Sequence, residues 1–126
     1  MKPKSQIKPT TQRTAWKALA AHYKKIQKAH LRQMFADALA EAVAVARASR
    51  IALPPDHYEK TLAFCEALPE AMKPSLLHDF EAGHRLEVEF LSGAVARLGA
   101  ATGVPTPVHH TIYAALKPYA AGRPAA

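Results

Sequence analysis

The sequence predicts an all-α protein, and three observations carry that prediction. Nearly half of the 126 residues are apolar (49%), alanine is heavily used, and glycines number only five, a composition rich in helix formers. Apolar residues recur at three- and four-residue spacing, and the alternation of a half-buried strand is absent. Clusters bearing proline or glycine (LPPD, KPS, TGVPTP) punctuate the chain between the periodic segments.

Residues 1–11 (MKPKSQIKPTT) are polar and aperiodic, with two prolines, and read as a disordered lead. From about residue 12 to 37 runs a basic amphipathic helix. Trp16, Leu19, Tyr23, Ile26, His30 and Met34 form its apolar stripe, expected to be buried, with most lysines on the opposite face. A second helix is expected over 37–49, with Leu39, Val43 and Ala46 inward. The LPPD segment ends it, because each proline disfavours helix at the residue before it. Asp56 then caps a helix over 57–68, with Glu59 completing a capping box and Tyr58, Leu62 and Cys65 buried.

After Lys-Pro-Ser at 73–75, a short helix capped by Ser75 runs to about Glu81, and Gly83 breaks it. A long helix is predicted from about Arg85 to Thr102, closed by Gly103. Thr106 caps a last helix from Pro107 to about residue 117, which buries Val108, Ile112, Ala115 and Leu116. Residues 123–126 read as a tail.

The net charge of +7 is unevenly spread. Residues 1–36 hold nine Lys/Arg and no acid, whereas residues 37–126 hold eight Lys/Arg and ten Asp/Glu. A basic head on a slightly acidic body suggests contact with nucleic acid or a membrane surface, or two segments of different origin. Nucleic acid is disfavoured, because the aromatics lie on the apolar stripe and are not interleaved with the lysines as a stacking surface requires. The lone Cys65 forms no internal disulfide, and without an apolar leader the chain suits the reducing cytoplasm. No apolar run approaches the roughly 20 residues of a membrane span.

Chemistry-bearing residues cluster at KPSLLHDFEAGHRLEVEF, residues 73–90. On a helix starting at Leu86, Glu87 shares a face within about 80° with Leu91, Ala94, Val95, Leu98 and Ala101, while Glu89 points away. A glutamate there either serves the helix start, through the macrodipole and free N–H groups, or projects into a cleft where a ligand meets it. His78, Asp79 and His84 match no familiar metal-ligand spacing, so no metal is expected. His109 and His110, at a helix start, are expected at the surface.

Residues 73–117, KPSLLHDFEAGHRLEVEFLSGAVARLGAATGVPTPVHHTIYAALK, resemble the C-terminal helical domain of ketopantoate reductases (2-dehydropantoate 2-reductases). The likeness extends back through AEAVAVARASRIALPPD and covers about residues 38–122. It implies the helical fold of the 6-phosphogluconate-dehydrogenase C-terminal type, part of an enzyme that reduces 2-dehydropantoate to pantoate with NADPH in pantothenate biosynthesis. In that family a Rossmann domain binds the nucleotide, a lysine acts as general acid, and asparagines help to hold substrate. The resemblance assigns substrate binding to Ser75 and Glu87, and makes Glu87 the equivalent of the active-site glutamate.

The chain departs from the family in several ways. It has no G-x-G-x-x-G and no asparagine, and His84 stands where relatives have arginine. The resemblance therefore implies a truncated domain, inactive alone, that binds no cofactor itself and lacks the helix bearing the catalytic lysine. Where that helix belongs, TTQRTAWKALAAHYKKIQKAHLRQMFAD (residues 10–37) resembles the N-terminus of glucose-6-phosphate isomerases, and carries none of that family's catalytic positions. The seam falls at the charge break, as in a chimera. The expected partners are a second copy or a nucleotide-binding protein docked on the apolar cleft face, with no membrane. The alternatives are a basic-headed helical binding or assembly protein, and a gene-fusion remnant without function.

Overall fold

The computed structural model describes residues 9–124, leaving aside the side chains of residues 9–12, 15 and 16. Five α-helices follow one another: α1 (Pro9–Ala48), α2 (His57–Glu66), α3 (Ser75–Ala82), α4 (Ser92–Thr102) and α5 (Pro107–Leu116). Two 3₁₀ turns, Glu87–Glu89 and Lys117–Tyr119, flank the α4/α5 pair, and no strand occurs among the described residues. The all-α expectation holds. The chain divides into two compact units, Met1–Met34 and Phe35–Ala126.

The first unit is helical from Pro9 onward. The expected disordered lead thus gives way to helix at residues 9–11, and residues 1–8 lie outside the described region. Leu19, Tyr23, Ile26 and Met34 are solvent-exposed, which corrects the expectation of a buried stripe. Periodicity reports that a face is apolar and says nothing of what covers it. The burial expected of Trp16 lies outside the described side chains.

In the second unit, α1 continues to Ala48 without the break expected near residue 37. Residues 10–48 contain neither proline nor glycine, and a change of charge alone does not interrupt backbone hydrogen bonding. The helix closes at Arg50, which adopts φ 60° while the amide of Ile51 bonds the Ala46 carbonyl at 2.9 Å. Ala36, Ala38, Val43 and Val45 of α1, with Leu86 and Val88, form the buried core. Tyr58, Leu62 and Cys65 of α2 are half-buried, as are Val108, Ile112 and Leu116 of α5, whereas Ala115 is exposed.

The helix ends show which sequence signals act. Gly83 and Gly103 both take φ 73° and terminate α3 and α4, as expected. The cap residues behave differently. Asp56 makes no side-chain cap bond and pairs instead with Lys60 at 2.8 Å, so the capping box is not formed. Pro74 takes the N-cap position of α3, and Ser75 becomes the first helical residue.

At α5, Thr106 occupies the N-cap position but contributes no side-chain bond. Its side chain is packed against Gly99, where an added Cβ would come within 2.6 Å of Thr106 Cγ2. Glu41 of α1 substitutes, its two carboxylate oxygens accepting from the Val108 and His109 amides at 2.8 and 3.0 Å. A residue 67 positions away thus caps α5, which satisfies orphan amides and welds α1 to α5.

His109, expected at the surface, is half-buried. Its Nε2–H donates to the Ala38 carbonyl at 2.8 Å, which leaves Nδ1 to accept the Ser92 hydroxyl at 3.2 Å. One ring therefore joins α1, α4 and α5. Close approach of α4 to α5 depends on Gly93, where a Cβ would lie 2.8 Å from Tyr113 Cε2.

Candidate functional site

Three consecutive local structures carry the residues singled out at 73–90. Ser75 opens α3 on the exposed side of Pro74. Beside it, Lys73 Nζ spans the helix and donates to both carboxylate oxygens of Glu81 at 2.9 Å. His84 lies 3.5 Å from the Asp79 carboxylate beyond the C-terminus of α3, and His78 is exposed. Among the described residues no group of three or more His, Cys, Asp or Glu is arranged to hold a metal ion.

Glu87 does not lie on the apolar stripe of a long helix. The chain from Arg85 is extended at Leu86 (φ −103°, ψ 144°), makes one 3₁₀ turn at Glu87–Glu89, and breaks again at Leu91 (φ −101°, ψ −103°) before α4 begins at Ser92. The 100° projection of an uninterrupted helix therefore fails across residues 85–91. Leu86 and Val88, 4% and 1% exposed, anchor the turn from either side of Glu87. Their burial turns the Glu87 side chain outward, and its backbone carbonyl accepts the Phe90 and Leu91 amides at 3.0 and 3.1 Å. The Glu87 carboxylate and the Ser75 hydroxyl are both exposed and have no hydrogen-bonding partner among the described residues.

Glu89, expected to face water, is the inward carboxylate. It accepts from the Tyr113 hydroxyl at 2.9 Å and from Lys117 Nζ, and its Oε2 lies 3.3 Å from Arg97 Nη1. Arg97 Nη2 also donates to the Glu89 backbone carbonyl at 2.7 Å, while the Lys117 ammonium lies 5.4 Å from the Tyr113 ring centroid. The bond from Lys117, then that from Tyr113, holds the Glu89 carboxyl below its usual range, and the Glu89 bond raises Lys117. Glu89 is thus the cornerstone that fixes the 3₁₀ turn, and with it Glu87, to α4 and α5. Sequence reasoning missed this cluster. Its signal was the i, i+4 pair of Tyr113 on α5 and Lys117 just after it, with a glutamate and an arginine eight residues apart before and within α4.

Two shallow grooves lie in this region, the first of them bordering the turn. One, of about 270 Å³, is lined by Arg85, Leu86, Glu89, Phe90, Ala120 and Ala121. The other, of about 240 Å³, runs between Phe80, whose ring meets Tyr119 edge-on at 5.0 Å, and Arg123. Neither is lined by Ser75 or Glu87. Phe90, next to the turn, is 77% exposed.

The sequence that builds these helices and this turn matches a known family. The family model for the ketopantoate reductase PanE/ApbA C terminal matches residues 13–120. The chain belongs to the ketopantoate reductase C-terminal family. The match begins well before residue 38, so most of the leading helix falls within it.

The chain is similar in structure to a 2-dehydropantoate 2-reductase from Methylococcus capsulatus (36% identity, TM-score 0.63), over 68% of this chain and 29% of that one. It shares the fold of a dimeric ketopantoate reductase from Staphylococcus aureus at 24% identity (TM-score 0.67), covering 72% of this chain and 32% of that one. It therefore spans about a third or less of the length of either structure.

The leading segment is also similar to glucose-6-phosphate isomerases. It is 68% identical over 31 residues to that of Nitrosospira multiformis and 62% identical over 29 residues to that of Gloeobacter violaceus, 6% and 5% of those chains respectively. Both expected resemblances hold. No described helix is long and apolar enough to cross a membrane.

Proposed function

We propose that this chain is the substrate-side helical domain of a ketopantoate-reductase-type enzyme acting on a 2-keto acid, and that it performs no hydride transfer by itself. The observation that carries the reading is the outward display of Glu87 and Ser75, two unpartnered polar groups on rigid supports, in a domain of this family. A carboxylate is costly to remove from water unless something meets it. A turn locked by Glu89, Leu86 and Val88 therefore suits a group that must meet a ligand and a second domain at once.

In this reading the Ser75 hydroxyl donates a hydrogen bond to the substrate, and Glu87 forms the other side of the site. Hydride comes from NADPH bound outside the described residues, which hold no strand and no glycine-rich turn to cradle a pyrophosphate. The nicotinamide carries the redox chemistry, and this domain orients the keto acid and excludes water. The exposed Phe90 beside the turn belongs to the face on which the nucleotide-binding domain docks.

Mixing the purified chain with the nucleotide-binding domain of a 2-dehydropantoate 2-reductase tests this. NADPH-dependent reduction of 2-dehydropantoate is expected from the mixture, falling on the order of 10²-fold or more with Glu87→Ala. A mixture that is inactive, or one indifferent to Glu87→Ala and Ser75→Ala, overturns the reading.

A further inference from the structure

The leading helix carries an apolar seam that the second unit's chemistry does not explain. With Leu19 as reference, Tyr23, Ile26, His30 and Met34 lie within about 60° on a helix of 3.6 residues per turn. All of these residues are exposed, Leu19 by 56% and Tyr23 by 64%. From Leu19 to His30 the steps run four, three, four, the spacing that packs one helix along another. The bases Arg13, Lys17, Lys24, Lys25, Lys28 and Arg32 all fall at about 120° or more from Leu19.

The residues that flank the seam decide what covers it. They are Ala18, Ala20, His22, Gln27, Ala29 and Gln33, with no Lys, Arg, Asp or Glu on either side. Helical partners chosen by opposite charge are selected through charges at these flanking positions, and here there are none. Two copies of the same helix, in contrast, place every base on the outer faces and bring no like charges together across the contact.

We propose that residues 13–36 pair with the same segment of a second copy as an antiparallel two-helix seam. The register follows from the polar seam residues. Antiparallel pairing centred between Ile26 and Gln27 sets Leu19 against the partner's Met34 and Tyr23 against the partner's His30, with the two Ile26 side chains meeting beside the two-fold axis. Each imidazole then faces a phenol with which it can hydrogen-bond. Parallel pairing sets imidazole against imidazole. Opposed macrodipoles favour the antiparallel arrangement as well. The contact belongs to the leading helix alone, so its failure would leave the keto-acid reading untouched.

Sedimentation equilibrium on the whole chain tests the pairing. Wild type is expected at twice the 13.7 kDa chain mass. Ile26→Glu, which puts two carboxylates beside the axis, is expected to raise the dimer Kd on the order of 10²-fold or more with helical circular dichroism retained. Lys24→Glu, on the outer face, leaves the dimer intact. In a Cys65→Ser background, mixed Leu19→Cys and Met34→Cys chains form the 19–34 disulfide, and neither variant cross-links alone. The proposal is overturned by a monomeric wild type, by a dimer that survives Ile26→Glu, by a 19–19 cross-link, or by a monomer that binds DNA with steep salt dependence through residues 1–36.

Discussion

Glu89 couples the acidity of the solvent to the turn that displays Glu87. Its carboxyl is held low first by Lys117, then by Tyr113. A carboxylate with a depressed folded-state pKa stabilises the fold above its unfolded value, and that stabilisation is lost as pH falls through the folded value. Lys117 is the opposite case: raised by Glu89, its contribution is complete below its unfolded value and is lost as pH rises through the folded one. Their pair therefore contributes most between the two unfolded-state values, and thermal stability is expected to fall on the acid side as Glu89 is protonated. Glu89→Gln should lower the plateau and flatten the acid limb; an unchanged acid limb would remove Glu89 from its role. Glu87→Ala, by contrast, alters an exposed side chain, and chemical denaturation should register less than about 0.5 kcal/mol. Gly93→Ala should cost about 1–3 kcal/mol, because the new methyl meets the Tyr113 ring at 2.8 Å.

At the scale of elements, the sequence was most legible where backbone chemistry is decisive. Gly83 and Gly103 ended helices as their positive φ allows, and α1 and α2 both end before the LPPD and KPS segments are reached. Side-chain caps were not legible: Thr106 is packed against Gly99 and Asp56 pairs with Lys60, so a long-range carboxylate caps α5. No local pattern points from Glu41 to residues 108 and 109. Glu41→Ala is expected to lower stability by about 0.5–2 kcal/mol and to speed amide exchange at Val108 and His109; unaltered exchange there would contradict the cap. The expected helix from Arg85 failed for a similar reason, since the 3₁₀ turn and the break at Leu91 are set by burial of Leu86 and Val88. That failure exchanged the roles of Glu87 and Glu89. Glu87 was singled out by a helical projection that the structure does not bear out and Ser75 as a cap, so a substrate-binding role for either was legible only through family resemblance.

Across the whole molecule, the charge break after residue 36 lies close to the division between Met34 and Phe35. The first unit is basic and its sequence is similar to the isomerases, while the reductase family match reaches into both units. The chain spans 29% of the Methylococcus capsulatus reductase. In the proposed reading, a keto acid positioned beside Glu87 without a nicotinamide has no hydride donor. The most direct measurement is NADPH oxidation by the purified chain alone with 2-dehydropantoate as substrate. No turnover above the buffer rate is predicted. Turnover by wild type that disappears in Glu87→Ala would contradict the account, since the chain would then hold a complete active site.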